Sequence, residues 1–193
     1  EMCIRDRDNV AQSSYGGIYV DLEYYGQLDL TGSTFTGNQA VSGSAGALYV
    51  GECYYESVIL IRDCTFTNNS SSSSGGAIYS DYGTYYGGLF DCSGSKFTTN
   101  TAGSSGGAVY LYESYYQAVN VFDSCTFTGN TAGSDGGGLY FYYPYYDCYF
   151  DVTNCTFSQN TASGDGGGLY IYEGYYGAYW TCLLYTSPSP RDR

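Results

Sequence analysis

Aliphatic residues and tyrosines alternate in six short segments of the chain, and a stretch rich in glycine or alanine precedes each of them. Residues 106–112, Gly-Gly-Ala-Val-Tyr-Leu-Tyr, are typical. A period of two predicts a β-strand whose aliphatic side chains face a core and whose tyrosines face away from it. The aliphatic positions are Ile18, Leu48, Ile78, Val109, Leu139 and Leu169. The tyrosines expected to face outward are Tyr19, Tyr49, Tyr79, Tyr110, Tyr140 and Tyr170.

Two further strands are predicted in each unit. After a corner that carries a tyrosine pair, residues 119–122, Val-Asn-Val-Phe, illustrate the second strand, and residues 125–128, Cys-Thr-Phe-Thr, illustrate the third. A Phe-x-x-Asn motif begins in the third strand and ends in a turn. The phenylalanines are Phe35, Phe66, Phe97, Phe127 and Phe157. The asparagines are Asn38, Asn69, Asn100, Asn130 and Asn160. Each series advances by 30 or 31 residues per step.

Three short strands in each 30-residue repeat, without a helical pattern, predict an all-β fold. We expect a right-handed parallel β-helix (a solenoid) in which each repeat forms one turn, or rung. Rungs stack at about 4.8 Å, so about six of them form a rod about 29 Å long. Equivalent residues then lie above one another, and the phenylalanine and asparagine rows become structural ladders. Independent modules of this length would bury too little surface to fold alone.

The two ends of the chain do not fit the repeat. Residues 1–7 and 182–193 hold four of the six basic residues and two of the three prolines. Both segments resemble translated sequencing-adapter read-through. We do not expect segments of this kind to be part of the native fold. The sequence therefore predicts one β-helix domain over residues 8–181, a fragment of a longer protein that supplies further rungs. A native disordered tail is the alternative at each end.

The negative net charge of the repeats argues against some classes of binding partner. Residues 8–181 carry 16 acidic residues against two basic ones, Arg62 and Lys96, and the chain has no histidine. A segment near −14 repels nucleic acid and anionic membrane surfaces. We therefore expect no nucleic-acid binding and no direct membrane insertion by this fragment. Because the zinc-binding spacings of cysteine and histidine are missing, we also expect no metal site and no cofactor.

The six cysteines of residues 8–181 favour an oxidising, extracellular setting. Cysteine recurs at one position of the third strand, at Cys64, Cys125 and Cys155. Cys125 and Cys155 fall on adjacent rungs, within the reach of a disulfide. Free thiols that fill small core positions are the alternative.

The outward tyrosines are the leading candidate for a binding face. The chain contains 27 tyrosines in 193 residues, and tyrosine gives strong contacts at a low entropic cost. The row from Tyr19 to Tyr170 is therefore expected to contact a glycan or a surface protein. Alternatively, the stacked rings only cover one side of the rod and add cross-strand contacts.

Two other rows have candidate chemistry. Thr-Phe-Thr in the third strand, as at Thr34 and Thr36, predicts an outward array of hydroxyl groups that resembles ice-binding β-helices, although strand propensity alone also favours threonine. Three carboxylates share one outward position of the second strand: Asp29, Asp91 and Asp151. Some polysaccharide hydrolases use two carboxyl groups on such a face as their catalytic residues. These aspartates should lie about two rungs, or ~9.6 Å, apart. Solvated charge is therefore the simpler interpretation.

The alternation of Gly-Gly-Ala-aliphatic segments with Phe-x-x-Asn resembles the repeats of the polymorphic outer-membrane protein family. Residues 75–78 and 106–109 match this pattern closely, whereas residues 136–139 and 166–169 have glycine in place of alanine. The pattern is more loosely similar to pectin-lyase-like β-helices. The resemblance implies a surface-exposed, adhesin-like domain.

These observations predict a non-catalytic, extracellular or cell-surface repeat domain with a structural or adhesin-like function. A carbohydrate-active β-helix enzyme, either a hydrolase or a lyase, is the alternative, and an ice-binding β-helix is a more remote one. We assign no catalytic, cofactor-binding or metal-binding residue.

Overall fold

The computed structural model describes residues 4–183, and the regular elements in that range are all β-strands. Four parallel six-stranded sheets run along the molecule. The first sheet contains β1 (Arg5–Arg7), β6 (Thr34–Thr36), β11 (Thr65–Thr67), β15 (Lys96–Thr98), β19 (Thr126–Thr128) and β23 (Thr156–Ser158). The second contains β2 (Val10–Ala11), β7 (Gln39–Ala40), β12 (Ser70–Ser71), β16 (Thr101–Ala102), β20 (Thr131–Ala132) and β24 (Thr161–Ala162).

The other two sheets hold the longer strands. The third contains β3 (Ile18–Val20), β8 (Leu48–Val50), β13 (Ile78–Thr84), β17 (Val109–Ser114), β21 (Leu139–Pro144) and β25 (Leu169–Tyr172). The fourth contains β5 (Gln27–Thr31), β10 (Val58–Arg62), β14 (Leu89–Ser93), β18 (Val119–Asp123), β22 (Tyr149–Thr153) and β26 (Tyr179–Leu183). A two-stranded sheet, β4 (Glu23–Tyr24) and β9 (Cys53–Tyr54), lies at the corner between them.

The register of these sheets confirms the predicted parallel β-helix. Phe66 pairs with Phe35 on one side and with Phe97 on the other, so each repeat forms one rung of a solenoid with about six rungs. The prediction of three strands per rung is wrong, because each rung contains a fourth one after the asparagine. This strand is only two residues long, as in Thr101–Ala102, and two residues are too few for an alternating pattern to be visible in the sequence.

The interior of the rod is built from stacked rows of buried side chains. The five ladder phenylalanines are at most 2% exposed, and their ring centroids are separated by 4.7 to 5.0 Å with nearly parallel planes. Val109, Leu139 and their equivalents at residues 48 and 78 are fully buried, as predicted. Burial of this continuous apolar stack is the main stabilising contribution, at about 25 cal/mol per Å² of apolar area removed from water.

The asparagine row forms the predicted ladder of amides. Asn69 donates a hydrogen bond from Nδ2 to Asn100 Oδ1 at 3.0 Å, and the backbone N–H of Asn69 donates to the same oxygen at 3.0 Å. The second Nδ2 hydrogen of Asn69 bonds to the carbonyl of Phe35 at 3.1 Å. The pattern repeats at Asn100 and Asn130, so each buried amide is satisfied by the rungs above and below it.

The ladder also has a member outside the Phe-x-x-Asn motif. Asn9 donates from its backbone N–H and from Nδ2 to Asn38 Oδ1, at 3.0 and 3.2 Å. Asn9 lacks the phenylalanine that should precede it by three residues, because Asp6 pairs with Phe35 instead. Asp6 Oδ1 is buried and has no hydrogen-bond partner among the described residues, which makes aspartate a poor fit in the phenylalanine row.

The described parts of the two tails continue the solenoid. Residues 5–7 pair with β6, and Cys182 pairs with Val152 of β22. The rest of both predicted tails, residues 1–3 and 184–193, lies outside the described residues. The adapter origin of the tails and the domain limits at residues 8 and 181 stay predictions. Within residues 4–183, no helix is long and apolar enough to cross a membrane.

Candidate binding surface

The predicted tyrosine face is stacked but is largely not exposed. Neighbouring rings from Tyr49 to Tyr140 are 4.8 to 5.2 Å apart. Tyr49, Tyr110 and Tyr140 are only 5 to 8% exposed, and Tyr79 and Tyr170 are half-buried. Only Tyr19, on the first rung of the row, is freely accessible, at 52%. The expectation that this row forms an open face is therefore wrong.

The physical reason is that other parts of each rung cover the row. The glycine corner before each strand crosses directly over it: a Cβ added at Gly106 would lie 2.8 Å from Tyr110 Cβ. A second tyrosine row flanks the rings, with the Tyr112 ring 6.4 Å from that of Tyr110. Burial raises the pKa of the Tyr49, Tyr79, Tyr110 and Tyr140 hydroxyls well above the ordinary value. Tyr49 also donates a 2.7 Å hydrogen bond to Asp81 Oδ2.

The accessible aromatic row lies at the corner between the third and fourth sheets. It contains the second tyrosine of the four central pairs, Tyr55, Tyr86, Tyr116 and Tyr146, which we call the corner ladder. These side chains are 38 to 42% exposed. Their rings stack at 4.6 to 5.0 Å with interplanar angles of 2 to 7°. The repeated tyrosine pair marked this corner in the sequence, but alternation along the neighbouring strands could not show which tyrosine was exposed.

A groove of about 510 Å³ runs along the corner ladder. One wall is formed by the tyrosines, and the other is formed by the residues that follow them: Glu56, Gly87, Gln117 and Asp147. Glu56, Gln117 and Asp147 are exposed. Both residues at each corner, such as Tyr116 (φ 47°) and Gln117 (φ 62°), adopt the left-handed conformation. This tight corner turns both side chains outward beside each other.

The threonine rows form in the predicted register on the first sheet. Thr34 pairs with Thr65, Thr65 pairs with Lys96, and Thr126 continues the row. The companion row contains Thr36, Thr67, Thr98, Thr128 and Ser158. Lys96 is exposed within the first of these rows and interrupts the hydroxyl array. A charged side chain in a regular hydroxyl surface suits solvation better than contact with ice.

The carboxylates of the fourth sheet are separated, as predicted from the sequence. Leu60 lies between Asp29 and Asp91 in the ladder, and Val121 lies between Asp91 and Asp151. Alternation with neutral residues avoids like charges on adjacent rungs. Asp91 forms an ion pair with Arg62 at 3.4 Å. Among residues 4–183, no group of three or more acidic, cysteine or histidine side chains could hold a metal ion.

The six cysteines of the repeats are free thiols in the structure, and all six are buried. Burial raises the pKa of Cys53 to about 12 and that of Cys148 to about 11. The Cys125 backbone N–H lies 3.4 Å from Cys155 Sγ, while Cys125 Sγ lies 3.8 Å from Cys92 Sγ. Both neighbours of Cys125 are therefore close to it. The Cys125–Cys155 disulfide stays a prediction, and Cys92 is a competing partner that sequence spacing did not suggest.

Comparison with known families identifies the repeat. The Chlamydia polymorphic membrane protein repeat matches residues 63–81, 124–142 and 154–172. These three segments are similar to that repeat, and together they cover less than half of the chain. Each match runs from the turn before the third strand, through the Phe-x-x-Asn motif, to the glycine-rich corner and the strand after it. The resemblance inferred from these motifs is thus confirmed, and the structure adds that each repeat closes one rung. Curated proteins and solved structures provide no significant match to the chain.

Proposed function

We propose that this chain is a rod-like segment of a cell-surface protein and that it functions in adhesion without catalysing a reaction. The repeat match supports this location, because the matched repeat is that of a membrane protein family. The single observation that carries the adhesive function is the corner ladder. Four stacked tyrosines, each about two-fifths exposed, are held in line on a rod whose rungs are joined by parallel strand pairing and by the asparagine ladder.

The arrangement of the carboxylates favours a non-catalytic function over glycoside hydrolysis. The two carboxyl groups of a glycosidase must flank one bond, about 5–9.5 Å apart. On the fourth sheet an apolar residue separates Asp29 from Asp91, and Arg62 neutralises Asp91. This spacing and the ion pair with Arg62 favour solvated charge over an acid and base pair at Asp29 and Asp91.

The proposal is tested by placing the folded chain on an array of surface glycans and on immobilised extracellular proteins. We expect specific, saturable binding to a member of one of these sets. Incubation with soluble polysaccharides, followed by a reducing-end assay and ultraviolet detection of unsaturated products, checks for hydrolase and lyase activity. Binding to neither set by the folded chain would contradict adhesion, and turnover would contradict a non-catalytic function.

A further inference from the structure

The tyrosines of the corner ladder have an energetically unfavourable backbone conformation. The φ angles of the four tyrosines lie between 44 and 50°. This left-handed conformation is common for glycine, is tolerated by asparagine and aspartate, and is unfavourable for most other residues. Such a conformation is energetically unfavourable for tyrosine. The same strained tyrosine occurs on successive rungs, although asparagine or glycine would satisfy the turn. Repeated strain of this kind points to a function of the side chain rather than of the turn.

The stacking geometry defines which part of each tyrosine can meet a ligand. Adjacent rings are nearly parallel and lie one rung apart, so the rings above and below cover both faces of each internal ring. A sugar or a cation therefore cannot stack on a face of Tyr86 or Tyr116. What reaches the groove is the edge of each ring with its hydroxyl group. The ladder thus presents one hydroxyl for every rung, on rings whose centroids are 4.6 to 5.0 Å apart.

The opposite wall of the groove is rich in hydrogen-bond acceptors. Glu56 and Asp147 provide carboxylates and Gln117 provides an amide, while no basic residue lines the groove. Gly87 leaves an open space on the second rung. Acceptors of this kind suit a ligand that carries many hydroxyl donors, and they repel a ligand that carries carboxylates or sulfates.

The spacing of the rungs distinguishes between extended ligands. An extended peptide directs side chains to the same side at every second residue, about 6.6 Å apart, which does not match the rung interval. An extended β-1,4-linked glycan advances by about one rung per sugar, and it carries hydroxyl groups on every unit. Of these two chain types, only the glycan has a repeat distance that matches the interval between rungs.

We propose that the groove beside the corner ladder binds an extended, neutral β-1,4-linked glycan that lies parallel to the rod axis, with one sugar on each rung. Tyr86 and Tyr116 exchange hydrogen bonds with sugar hydroxyls along one wall, and Gln117 and Asp147 accept hydrogen bonds along the other. The four tyrosines accommodate about four sugars over roughly 14 Å. This assignment rests on the proposed adhesive function and names its ligand class and its site.

The test measures binding of cellohexaose, cellotetraose and cellobiose to the full chain by calorimetry. Affinity should rise with length up to about four sugars, because each additional sugar reaches another rung. The variant that combines Tyr86→Asn with Tyr116→Asn should lose about tenfold or more in affinity, since tyrosines dominate the energy of such contacts. Asparagine accepts the left-handed conformation, so the backbone of both corners keeps its geometry. A circular dichroism spectrum identical to that of the parent checks this point.

A matched control substitutes two residues on a different face of the rod. Thr67→Ser combined with Thr98→Ser alters half-buried outward positions of the first sheet and should leave glycan affinity unchanged. Equal affinity of the tyrosine variant and the parent would overturn the groove assignment, as would an affinity that is independent of glycan length. Tight, salt-sensitive binding of a polylysine peptide that cellohexaose does not displace would also overturn it.

The outcomes separate this inference from the adhesive function. If the folded chain binds none of the three oligosaccharides but binds an extracellular protein, the adhesive function is supported and the glycan site is refuted. A folded chain that binds no glycan and no protein refutes both proposals.

Discussion

Backbone conformation at single residues decides where this chain tolerates substitution. Gly107 and Gly129 both lie in turns, but their surroundings differ. A Cβ added at Gly107 would overlap the carbonyl oxygen of Gly137 on the next rung and lie 2.7 Å from the backbone of Thr131. At Gly129 (φ 65°), a Cβ would meet only the methyl group of Thr99, at 3.5 Å. The first glycine is thus required by close packing between rungs and the second only by its turn.

We therefore expect Gly107→Ala to destabilise the rod by about 2 kcal/mol or more, because backbone cannot move aside without disturbing the rung above it. Gly129→Asn should change the free energy of unfolding by no more than about 0.5 kcal/mol, since Asn68 already adopts a positive φ (55°) at the equivalent turn. Urea denaturation of the two variants measures both values. A Gly107→Ala variant as stable as Gly129→Asn would show that the corners are not tightly packed.

The cysteines differ in reactivity according to their burial. Cys53 and Cys148 are completely buried, with pKa values raised to about 12 and about 11, whereas Cys182 is exposed. Alkylation at pH 8 should modify Cys182 within minutes and the two buried thiols only as fast as the rod opens, because the thiolate is the reactive form. Peptide mass spectrometry with and without denaturant measures both rates. Rapid modification of Cys53 in the native chain would contradict this expectation.

The same experiment tests the disulfide. If Cys125 and Cys155 are joined, neither is alkylated in denaturant until a reductant is added. If Cys125 pairs with Cys92 instead, Cys155 is alkylated and Cys92 is not. Alkylation of all three residues without a reductant identifies the stack as free thiols that fill the core.

At the scale of the elements, the amide ladder is more sensitive than its polar composition suggests. Asn100 has no exposed surface, and its side chain makes four hydrogen bonds: two accepted from Asn69, one donated to Asn130 and one donated to the carbonyl of Phe66. Removal of this amide leaves several buried groups unsatisfied, at about 1–3 kcal/mol each. We expect Asn100→Ala to cost about 3 kcal/mol or more in the free energy of unfolding.

A neighbouring asparagine provides the control for this prediction. Asn68 is exposed and has a positive φ of 55°, so Asn68→Gly keeps the turn and should change stability by less than about 0.5 kcal/mol. Thermal and urea unfolding of both variants measure the difference. If the two substitutions cost the same, the ladder does not contribute to stability beyond the turns it closes.

The sequence predicts which residues stack in ladders, but it does not predict the contacts that those ladders make with other segments. In a parallel stack, a residue and its equivalent 30 positions later pair directly, so the phenylalanine, asparagine and aspartate rows follow from the repeat length alone. Asn120 lies inside the rod, where it is 1% exposed. Its partners, Ser114 and Thr84, come from other strands and rungs, and nothing in the local pattern indicates them.

The tyrosine rows illustrate the same limit. A period of two predicts that Tyr110 lies on the side of its strand away from the core, and this is correct. It contains no information on the glycine corner that packs closely against Tyr110, which is 8% exposed. Exposure depends on contacts between segments that are adjacent only in the folded rung, which is why the accessible row at Tyr116 was found only in three dimensions.

At the scale of the whole molecule, the rod depends on contacts between neighbouring rungs. Each rung pairs with the one above and the one below, so the stability of such an array is approximately a sum of repeat and interface terms. The rings of Tyr49, Tyr110 and Tyr140 and the thiols of the repeats are buried at these interfaces. Because these groups ionise in the alkaline range, the stability of the whole rod is coupled to pH.

We expect stability to be insensitive to the ionisation of these groups near pH 7 and to fall as the pH rises above about 9. Burial raises the pKa values of Tyr110, Tyr140 and Cys53 above their unfolded values of 10.0, 10.0 and 9.0. Above those values the unfolded chain releases protons that the native chain retains, so each group lowers the free energy of unfolding by up to about 1.4 kcal/mol per pH unit. Urea titrations between pH 7 and 11 measure the decline.

A variant that combines Tyr110→Phe and Tyr140→Phe separates the hydroxyl groups from the rings. It keeps the stacked rings of the ladder, which are 4.8 Å apart, but it removes two of the groups that must ionise on unfolding. Its stability should therefore fall less steeply with pH than that of the parent, while the thiols still contribute to both slopes. Equal slopes in the two proteins would mean that these hydroxyls are not kept protonated by the fold, and that the glycine corners do not seal the tyrosine row from water.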